Sequence, residues 1–483
     1  MSKATYEPVI GLETHVQLQT QSKMFCSCSA AYAGADPNTH VCPVCMAMPG
    51  TLPVMNRQAV EYALLTGIAL NCEHPEASKF DRKNYPYPDL VKGYQISQYD
   101  LPFSANGWLT VDVDGESYRI GITRAHMEED TAKLLHRKGN GSAYSLIDLN
   151  RSGVPLLEIV SEPDIRSPAQ ARAYLQKMRL IVQTLGVSTG NMEEGAMRCD
   201  VNVSLRPTGT QAFGVKVEIK NLNSARSVQR ALEYEIERQT RALETGERII
   251  QETRGFDEDR GITVSQRSKE EAHDYRYFPE PDLPPIFISR EWVAELRSGM
   301  PELPDAKRDR YVQQFELSRY DAVQLTSSVG ISNLFEQTVA LYPKPKIVAN
   351  WVQGEIFRVL NDTGIELEAS HVTPDALVEV LGMLDDGTIT QAVAKQVFEE
   401  AIKTGATPKA IVAERGLTQI SDASELEHAV AEAIANAPQA VADYRAGKQQ
   451  AIGFLTGQVM KATRGKANPG TVNEILRRQL DQA

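Results

Sequence analysis

Four cysteines near the start of the chain have the spacing of a metal site. Cys26 and Cys28 form one close pair, and thirteen residues separate it from the pair Cys42 and Cys45. Two such pairs can supply the four thiolates of a tetrahedral zinc site, which holds a loop in place and does no chemistry itself. Only one residue separates the first two cysteines, and His40 is close enough in sequence to replace a thiolate. Independent buried thiols are the alternative to zinc.

Glu13 and His15 could bind a divalent cation together. They lie two positions apart in a predicted strand at residues 9–18, in which apolar and polar residues alternate. Side chains two positions apart point to the same side of a strand. A carboxylate beside an imidazole suits a divalent metal ion, and a solvated surface pair is the alternative.

A predicted β-hairpin at residues 197–221 has one face lined with charges. Apolar and polar residues alternate on both sides of a Pro-Thr-Gly turn, and Val215 is expected to point inward with the other apolar residues. The polar positions carry two carboxylates and two cations: Asp200, Glu218, Arg198 and Lys220. The carboxylates are candidate metal ligands and the cations candidate phosphate partners. An ordinary solvated sheet face is the alternative.

A third acidic segment follows Asp114 and Gly115, which predict a tight hairpin between strands at residues 108–113 and 117–128. One face of the second strand is predicted to carry Ile120, Ile122, Arg124, His126 and Glu128. Glu128 is followed directly by two more carboxylates, and like charges so close together repel unless a cation lies among them. Glu128 is therefore a candidate metal ligand.

Further phosphate partners lie in two loops. Basic and aromatic residues alternate at residues 78–98, where Lys79 and Lys83 could bind phosphate and the rings could stack on a base. Covering a core is the alternative role for this loop. Residues 144–150 and 154–161 are predicted to pair as strands around a turn that holds Arg151 at the rim of the sheet.

The composition is that of a globular protein with about three domains. The 483 residues include 42% hydrophobic and 24% charged residues, and about 150 residues per domain is usual. No run of eighteen apolar residues and no signal-peptide pattern occur, so we expect a cytoplasmic protein without a membrane span. The net charge of −12 argues against non-specific coating of nucleic acid but allows contact through a local basic patch.

Composition divides the chain into three predicted domains. Residues 1–290 contain the strands and the candidate ligands, residues 291–405 have a helical period, and residues 406–483 form short alanine-rich helices with a basic end. The basic residues of the last segment suit an RNA backbone and a solvated helix surface equally well.

Together the strand faces predict a site for a nucleoside triphosphate. Carboxylates with one imidazole suit magnesium or manganese, and nearby cations suit phosphates. The sequence has neither a P-loop nor the glycine-rich turn of a Rossmann fold. An ATP site on an antiparallel sheet remains, and its natural chemistry is phosphoryl transfer.

The sequence motifs that contain these residues resemble those of a known protein family. They are Gly11-Leu-Glu-Thr-His-Val, the two cysteine pairs, Lys79-Phe-Asp-Arg-Lys-Asn-Tyr, His126-Met-Glu-Glu-Asp, Asp148-Leu-Asn-Arg-Ser-Gly-Val-Pro, Met197-Arg-Cys-Asp-Val-Asn, Glu218-Ile-Lys-Asn-Leu-Asn and a terminal Gly-Lys-Ala-Asn-Pro. They span almost the whole chain and are similar to the subunit designated B of the aspartyl/glutamyl-tRNA amidotransferases.

The resemblance implies a two-step reaction. Proteins of that family use ATP to phosphorylate the side-chain carboxylate of Glu misacylated on tRNA for Gln, or of Asp on tRNA for Asn. Ammonia then displaces phosphate and gives the amide. It comes from glutamine through a partner amidase subunit, designated A, in a complex that also contains a small subunit, designated C. The sequence does not decide between the two misacylated tRNAs as the substrate of this chain.

The resemblance also implies a fold and a set of ligands. The fold class is α+β, with an antiparallel, glutamine synthetase-like cradle followed by an all-α domain and a small α-helical tail domain, both of which contact tRNA. The family's magnesium positions fall by motif match on Glu13, His15, Glu128, Asp200 and Glu218, and all of these except Asp200 are the catalytic candidates. The expected ATP contacts are Lys79, Lys83, Arg151, Arg198 and Lys220. Zinc on the four cysteines is expected to support the fold.

Two other functions are compatible with parts of the sequence. A non-catalytic, zinc-containing tRNA-binding scaffold explains the cysteines and the basic tail but gives five candidate ligands no role. A free-standing ligase of the glutamine synthetase type needs no tRNA, and it predicts that deletion of residues 406–483 has little effect. A requirement for ATP in the reaction with misacylated tRNA distinguishes the amidotransferase subunit from the non-catalytic scaffold.

Overall fold

The structure is a computed structural model that describes residues 5–139, 142–268, 274–420 and 423–482. The chain forms two compact units, Met1–Pro304 and Asp305–Ala483. Strands and helices are mixed in the first unit, whereas the described part of the second contains helices and no strand. The chain thus has the predicted α+β class, with a large sheet followed by a helical region.

The elements of the first unit are as follows. The strands are β1 (Tyr6–Gln17), β2 (Ala77–Ser78), β3 (Asp81–Asn84), β4 (Tyr94–Ser97), β5 (Ser104–Val113), β6 (Glu116–Glu129), β7 (Lys133–Gly139), β8 (Ser142–Asp148), β9 (Pro155–Ser161), β10 (Met197–Pro207), β11 (Val217–Lys220), β12 (Glu252–Asp257), β13 (Ile262–Ser268), β14 (Phe278–Pro279) and β15 (Ile286–Phe287). The helices are α1 (Arg57–Ala69), α2 (Pro168–Thr184), α3 (Ala225–Thr245) and α4 (Arg290–Ser298).

An eight-stranded sheet forms the centre of the first unit, in the order β13-β12-β11-β10-β1-β9-β6-β5. Neighbouring strands are antiparallel except β11 and β12, which are parallel. Smaller sheets consist of β14-β3-β4, β15-β2 and β7-β8. The first strand of the chain therefore lies in the middle of the large sheet, between two strands that come much later in the sequence.

One face of the large sheet is apolar and the other is polar. In β1, Leu12 and Val16 are buried in the main core, whereas Glu13 and His15 alternate with them and are less buried, as predicted. Helices α1, α2 and α3 contribute buried apolar residues to the same core. They cover the apolar face, so the polar face is free of these three helices.

The predicted hairpin at residues 197–221 is present, because β10 and β11 pair in antiparallel fashion. Val217 and Ile219 are fully buried, as expected of its apolar positions. Val215 precedes β11 and is 45% exposed. The prediction that Val215 points inward is wrong, because the strand begins after it.

A β-bulge in β6 changes which residues share a face. The pairing of β6 with β9 shifts between Ile122 and Arg124. An extra residue at a bulge reverses the side to which later side chains point. Ile120 and Ile122 accordingly lie in the main core, and the prediction that they share a face with His126 and Glu128 is wrong.

The two strands predicted on either side of Arg151 do not pair with each other. β8 pairs with β7, whereas β9 enters the large sheet between β1 and β6. Almost every residue of β9 is buried, while Leu146 and Ile147 of β8 are exposed. A nearly continuous apolar run suits a strand that is covered on both faces, which explains the position of β9.

The second unit is built from helices. They are α5 (Pro304–Gln314), α6 (Arg319–Leu325), α7 (Val329–Leu341), α8 (Pro345–Trp351), a π-helical turn (Val352–Ile356), α9 (Phe357–Thr363), a 3-10 turn (Leu367–Ala369), α10 (Pro374–Asp385), α11 (Gln391–Thr404), α12 (Pro408–Arg415), α13 (Ala423–Ala435), α14 (Pro438–Arg445), α15 (Ala451–Ala462) and α16 (Pro469–Gln482). They enclose two hydrophobic cores, within residues 311–417 and 426–480. None of the described helices has both the length and the apolar composition needed to cross a lipid bilayer.

His74 of the first unit has one ring nitrogen without a partner. Its Nδ1 donates to the carbonyl of Phe103 at 3.1 Å, so Nε2 carries the lone pair of the neutral ring. Nε2 is buried without a hydrogen-bond partner among the described residues. Burial outweighs the hydrogen bond to Phe103, and together with the charge of Arg297 it holds the pKa of His74 below its ordinary value.

We expect His74→Asn to reduce the loss of stability in mild acid. Because the folded state binds a proton at His74 less readily than the unfolded state, the free energy of unfolding falls as the pH drops below the ordinary histidine value of 6.5. The contribution of His74 to this slope is at most about 1.4 kcal/mol per pH unit. Urea unfolding between about pH 5 and 8 measures it. The exposed His136 provides the control variant, and equal slopes for His74→Asn and the parent protein would contradict the assignment.

Candidate functional site

Neighbouring strands bring charged residues together on the polar face of the sheet. Glu13 of β1 lies opposite Asp200 of β10, and His15 lies opposite Glu158 of β9. β11 adds Glu218 beside β10. Side chains opposite each other in antiparallel strands are about 5 Å apart, so the register alone places these groups near one another.

The first cluster consists of His15, Glu128 and Glu158, with one ligand atom of each within 4.8 Å of the others. His15 Nε2 lies 3.3 Å from Glu158 Oε2. Burial disfavours the charged imidazole, but the hydrogen bond to Glu158 and the surrounding carboxylates raise the pKa of His15 above its ordinary value. One imidazole and two carboxylates form a donor set that fits Mg²⁺ or Mn²⁺.

Glu128 is buried and held by hydrogen-bond donors. Its carboxylate accepts from Ser97 Oγ at 2.8 Å, Gln95 Nε2 at 3.1 Å and Lys83 Nζ at 3.2 Å. Burial favours the neutral acid, but Lys83 and the two nearby histidines hold the pKa of Glu128 well below its ordinary value. The carboxylate therefore keeps its charge although it is only 2% exposed.

His126 connects the two carboxylates of the first cluster. Its Nε2 lies 3.4 Å from Glu158 Oε2 and 3.6 Å from Glu128 Oε1, and Arg124 Nε donates to its Nδ1 at 3.3 Å. Because Nδ1 accepts this bond, the neutral ring carries its proton on Nε2 and directs it at the carboxylates. Burial opposes ionisation of Glu158, but His126 and His15 hold its pKa below the ordinary value.

The second cluster lies on β1, β10 and β11 and consists of three carboxylates, Glu13, Asp200 and Glu218, again with ligand atoms within 4.8 Å of one another. Asn202 Nδ2 donates to Glu13 at 2.9 Å, and Thr253 Oγ1 donates to Glu218 at 2.7 Å. Lys220 Nζ lies 3.4 Å from Glu218 Oε1 and also forms an ion pair with Asp200. One lysine offsets only part of the charge of three carboxylates, so the donor set fits a divalent cation.

Arg198 and Arg151, two of the predicted ATP contacts, meet at Asp130. Arg198 Nη2 lies 2.8 Å from Asp130 Oδ2, to which Gln17 Nε2 also donates at 2.6 Å. Arg151 Nε lies 3.7 Å from Asp130 Oδ1. The guanidinium of Arg151 also donates to the backbone carbonyls of Thr131 and Ala132. Both arginines are thus anchored by the segment that follows β6.

The two predicted phosphate-binding lysines have different surroundings. Lys83 contacts the first cluster through Glu128. Lys79 pairs instead with Asp81 and with Asp100, whose Oδ1 is 2.6 Å from its Nζ. The described contacts therefore connect Lys83, but not Lys79, to the candidate ligands.

The four cysteines predicted to bind zinc converge. The sulfur atoms of Cys26, Cys28, Cys42 and Cys45 lie within 4.8 Å of one another, and none of the four is in a disulfide. His40 is not a member of this group, and its backbone N–H donates to Asn150 Oδ1. Four sulfur donors from one loop fit a structural zinc ion.

Glu158 belongs to the first cluster, and His126 contacts it. Neither residue is among the predicted ligands. Glu158 is the charged residue in a strand, Pro-Leu-Leu-Glu-Ile-Val-Ser, that is otherwise uncharged, and it is 7% exposed. A carboxylate in such a strand must find a partner, and this was the signal available in the sequence. The contact of His126 with Glu158 depends on the pairing of β6 with β9, which the sequence does not indicate.

The chain matches two protein-family models. Residues 8–294 match the model described as the GatB/GatE catalytic domain, and residues 333–480 match the one described as the GatB domain. The first match contains both clusters and the four cysteines.

Full-length relatives are similar to the whole chain. A protein of Carboxydothermus hydrogenoformans, named as the subunit designated B of aspartyl/glutamyl-tRNA(Asn/Gln) amidotransferase, is 56% identical over 477 residues, which cover 98% of this chain and 99% of the relative. Proteins of the same name from Moorella thermoacetica and Caldanaerobacter subterraneus are 56% and 54% identical, over 98% and 99% of this chain and 100% of each relative.

We expect the two clusters to bind divalent cations separately. Glu158→Gln removes a charge from the first cluster and Glu218→Gln removes one from the second, so each variant should weaken one class of Mn²⁺ sites by about tenfold or more and leave the other class unchanged. Electron paramagnetic resonance of free Mn²⁺ during titration measures both classes. Glu162→Gln, at an exposed carboxylate outside the clusters, is the matched control. Loss of both classes in either variant would show that the clusters form a single site.

Proposed function

Because the chain belongs to the GatB/GatE family, we propose that it is the subunit of a tRNA amidotransferase that activates a misacylated tRNA with ATP. The proposed substrates are Glu on tRNA for Gln and Asp on tRNA for Asn, which match the names of the relatives. One observation carries the proposal. The polar face holds two carboxylate clusters with cations beside them, an arrangement that suits phosphoryl transfer because metal ions and cations neutralise the charge of the phosphates.

The proposed reaction has two steps. An oxygen of the substrate's side-chain carboxylate attacks the γ-phosphorus of ATP, and the bond from that phosphorus to ADP breaks. The lone pair of ammonia then attacks the carbonyl carbon of the acyl phosphate, phosphate leaves with the electrons of the C–O bond, and the nitrogen loses a proton. Phosphorylation is needed because an oxide ion cannot leave from a free carboxylate.

The carboxylates of the two clusters would hold Mg²⁺, which neutralises charge between the attacking carboxylate and the triphosphate. Ser97, Gln95 and Lys83 fix the orientation of Glu128 and keep it ionised. His126 does the same for Glu158 through its Nε2 proton. Because these donors are in place before substrate binds, little reorganisation is needed during the reaction.

The cations of the polar face are the proposed partners of the phosphates. Burial disfavours the charged form of Lys83, but Glu128 and Glu158 raise its pKa, so that it stays protonated. Lys220 and Arg198 have raised pKa values too, because neighbouring aspartates outweigh their burial. Arg151 and Lys79 complete the proposed set. Each of them is held by protein oxygens, which phosphate oxygens would replace on binding.

The remaining parts of the chain have proposed supporting roles. We assign residues 1–290 to a glutamine synthetase-like cradle, residues 291–405 to a helical domain and residues 406–483 to a tail domain that binds tRNA. Zinc on the four cysteines would support the fold of the cradle. Ammonia would come from glutamine through the amidase subunit, in a cytoplasmic complex that also contains the small third subunit. A tRNA-binding scaffold without catalysis is less well supported, because it gives the two clusters no role.

We expect Glu128→Gln to lower the rate of tRNA-dependent ADP formation, and of amidation with free ammonia, by about 100-fold or more. The amide keeps the size of the side chain but removes the negative charge that faces Lys83, His126 and the proposed cation. Both rates are measured in the assembled complex with misacylated tRNA.

Glutamine hydrolysis by the partner amidase should be unchanged in Glu128→Gln, which separates loss of activation from loss of assembly. Glu162→Gln should leave all three rates near those of the parent. Normal amidation from ammonia in the Glu128→Gln complex would show that the site is misplaced, and amidation without ATP would exclude the proposed reaction.

A further inference from the structure

Lys23 is a fully buried lysine, with 0% of its surface exposed. The ion pairs among the described residues do not include it, although buried lysines are normally paired with a carboxylate. Lys23 and Glu129 line one cavity of about 300 Å³. The carboxylate of Glu129, however, pairs with Lys92 and accepts from the backbone N–H of Ile96. The charge of Lys23 therefore needs another partner.

The partners that Lys23 does have are a sulfur atom and a carbonyl. Its Nζ lies 3.6 Å from Cys45 Sγ and 3.2 Å from the carbonyl oxygen of Leu149. One sulfur atom and one carbonyl give a buried ammonium group little compensation for its lost hydration, which costs several kcal/mol even after relaxation. Four thiolates around a divalent cation carry a net charge of −2, and this charge would be the missing counterion.

The cysteine loop is also tied to the turn at residues 149–153. Met24 N donates to the carbonyl of Gly153 at 2.7 Å, and Leu149 N donates to Asn38 Oδ1 at 2.8 Å. His40 N donates to Asn150 Oδ1 at 2.8 Å. The loop that carries the thiols and the turn that carries Arg151 are therefore one hydrogen-bonded unit.

We propose that Lys23 is the charge partner of a metal centre formed by Cys26, Cys28, Cys42 and Cys45, and that this pairing holds the turn at residues 149–153 in place. Lys23 is a positioning residue in this proposal, since it touches a ligand of the metal and not the reacting groups. Its ammonium reduces the repulsion among the thiolates, and its bond to Leu149 connects the metal to the turn. Only the role of Arg151, in the middle of this turn, rests on the proposed function.

Zinc affinity of the full chain tests the charge pairing. Lys23→Met keeps the length of the side chain and removes its charge, and it should weaken zinc binding by about 10- to 100-fold, as is usual for partners of metal ligands. Competition with a chromophoric chelator measures the affinity. In the cobalt-substituted protein, the sulfur-to-metal charge-transfer band should move to longer wavelength, because a thiolate without the neighbouring ammonium loses an electron more readily.

Lys92→Met is the matched control. Lys92 lines the same cavity as Lys23, but it pairs with Glu129, so its removal should leave the affinity for zinc within about twofold of the parent. An unchanged affinity in Lys23→Met, or an equal loss in Lys92→Met, would overturn the proposal.

Stability without metal separates charge pairing from packing. When a chelator has removed the zinc, Lys23 no longer faces the net charge of −2 of the metal centre, so Lys23→Met should lower the unfolding temperature of the metal-free chain less than that of the metal-loaded chain. A merely structural lysine would instead lower the unfolding temperature of the metal-free and metal-loaded chains equally, and that result would contradict the proposal.

Hydrogen exchange in the unmodified chain tests the connection to the turn without any variant. Removal of zinc should speed exchange at the amides of Met24, His40 and Leu149, which donate between the loop and the turn, and leave helix α2 unchanged. Equal protection of the three amides with and without zinc would exclude the proposed connection between the metal centre and the turn. None of these measurements uses ATP or tRNA, so they can fail or succeed independently of the proposed reaction.

Discussion

Repulsion among carboxylates is the constraint that shapes the polar face of the sheet. Two unit charges 4 Å apart repel by about 4 kcal/mol at an effective dielectric constant of 20, and the two clusters together contain five carboxylates. Lys83 and Lys220 offset part of this energy, and His126 with several neutral donors offsets more. The remaining negative charge is what makes the face suited to a divalent cation.

The apolar face of the same sheet fixes where these charges lie. A shift of one residue in the pairing of β1 would expose Leu12 and Val16 and bury Glu13 and His15 in the core. Packing against α1, α2 and α3 therefore selects the register that brings Glu13 opposite Asp200. The bulge in β6 has the corresponding effect for Glu128, which would otherwise face the core.

Local patterns predicted much of this arrangement. Alternation gave β1 and the hairpin of β10 and β11, and cysteine spacing gave a group of thiols that the structure brings together. What depends on distant pairing was not predictable. The place of β9 and the bulge in β6 follow from the competition of strands for one sheet, so the lone charge of Glu158 indicates that it has a partner but not that this partner is His15. The division of the predicted ligands into two groups has the same origin.

The central position of β1 has a consequence for synthesis of the protein on the ribosome. Glu13 accepts a hydrogen bond from Asn202, 189 residues further along the chain, and β9 and β10 are both made after residue 150. At roughly 5–20 residues per second, β1 waits on the order of 10–40 s for the later of these neighbours. Both of its hydrogen-bonding edges lack their final partners until β9 is made, and the edge that pairs with β10 lacks its partner for the whole of that time. The nascent chain must therefore be kept from aggregating until well over a third of it has left the ribosome, and the candidate metal ligands of β1 meet those of β10 only then.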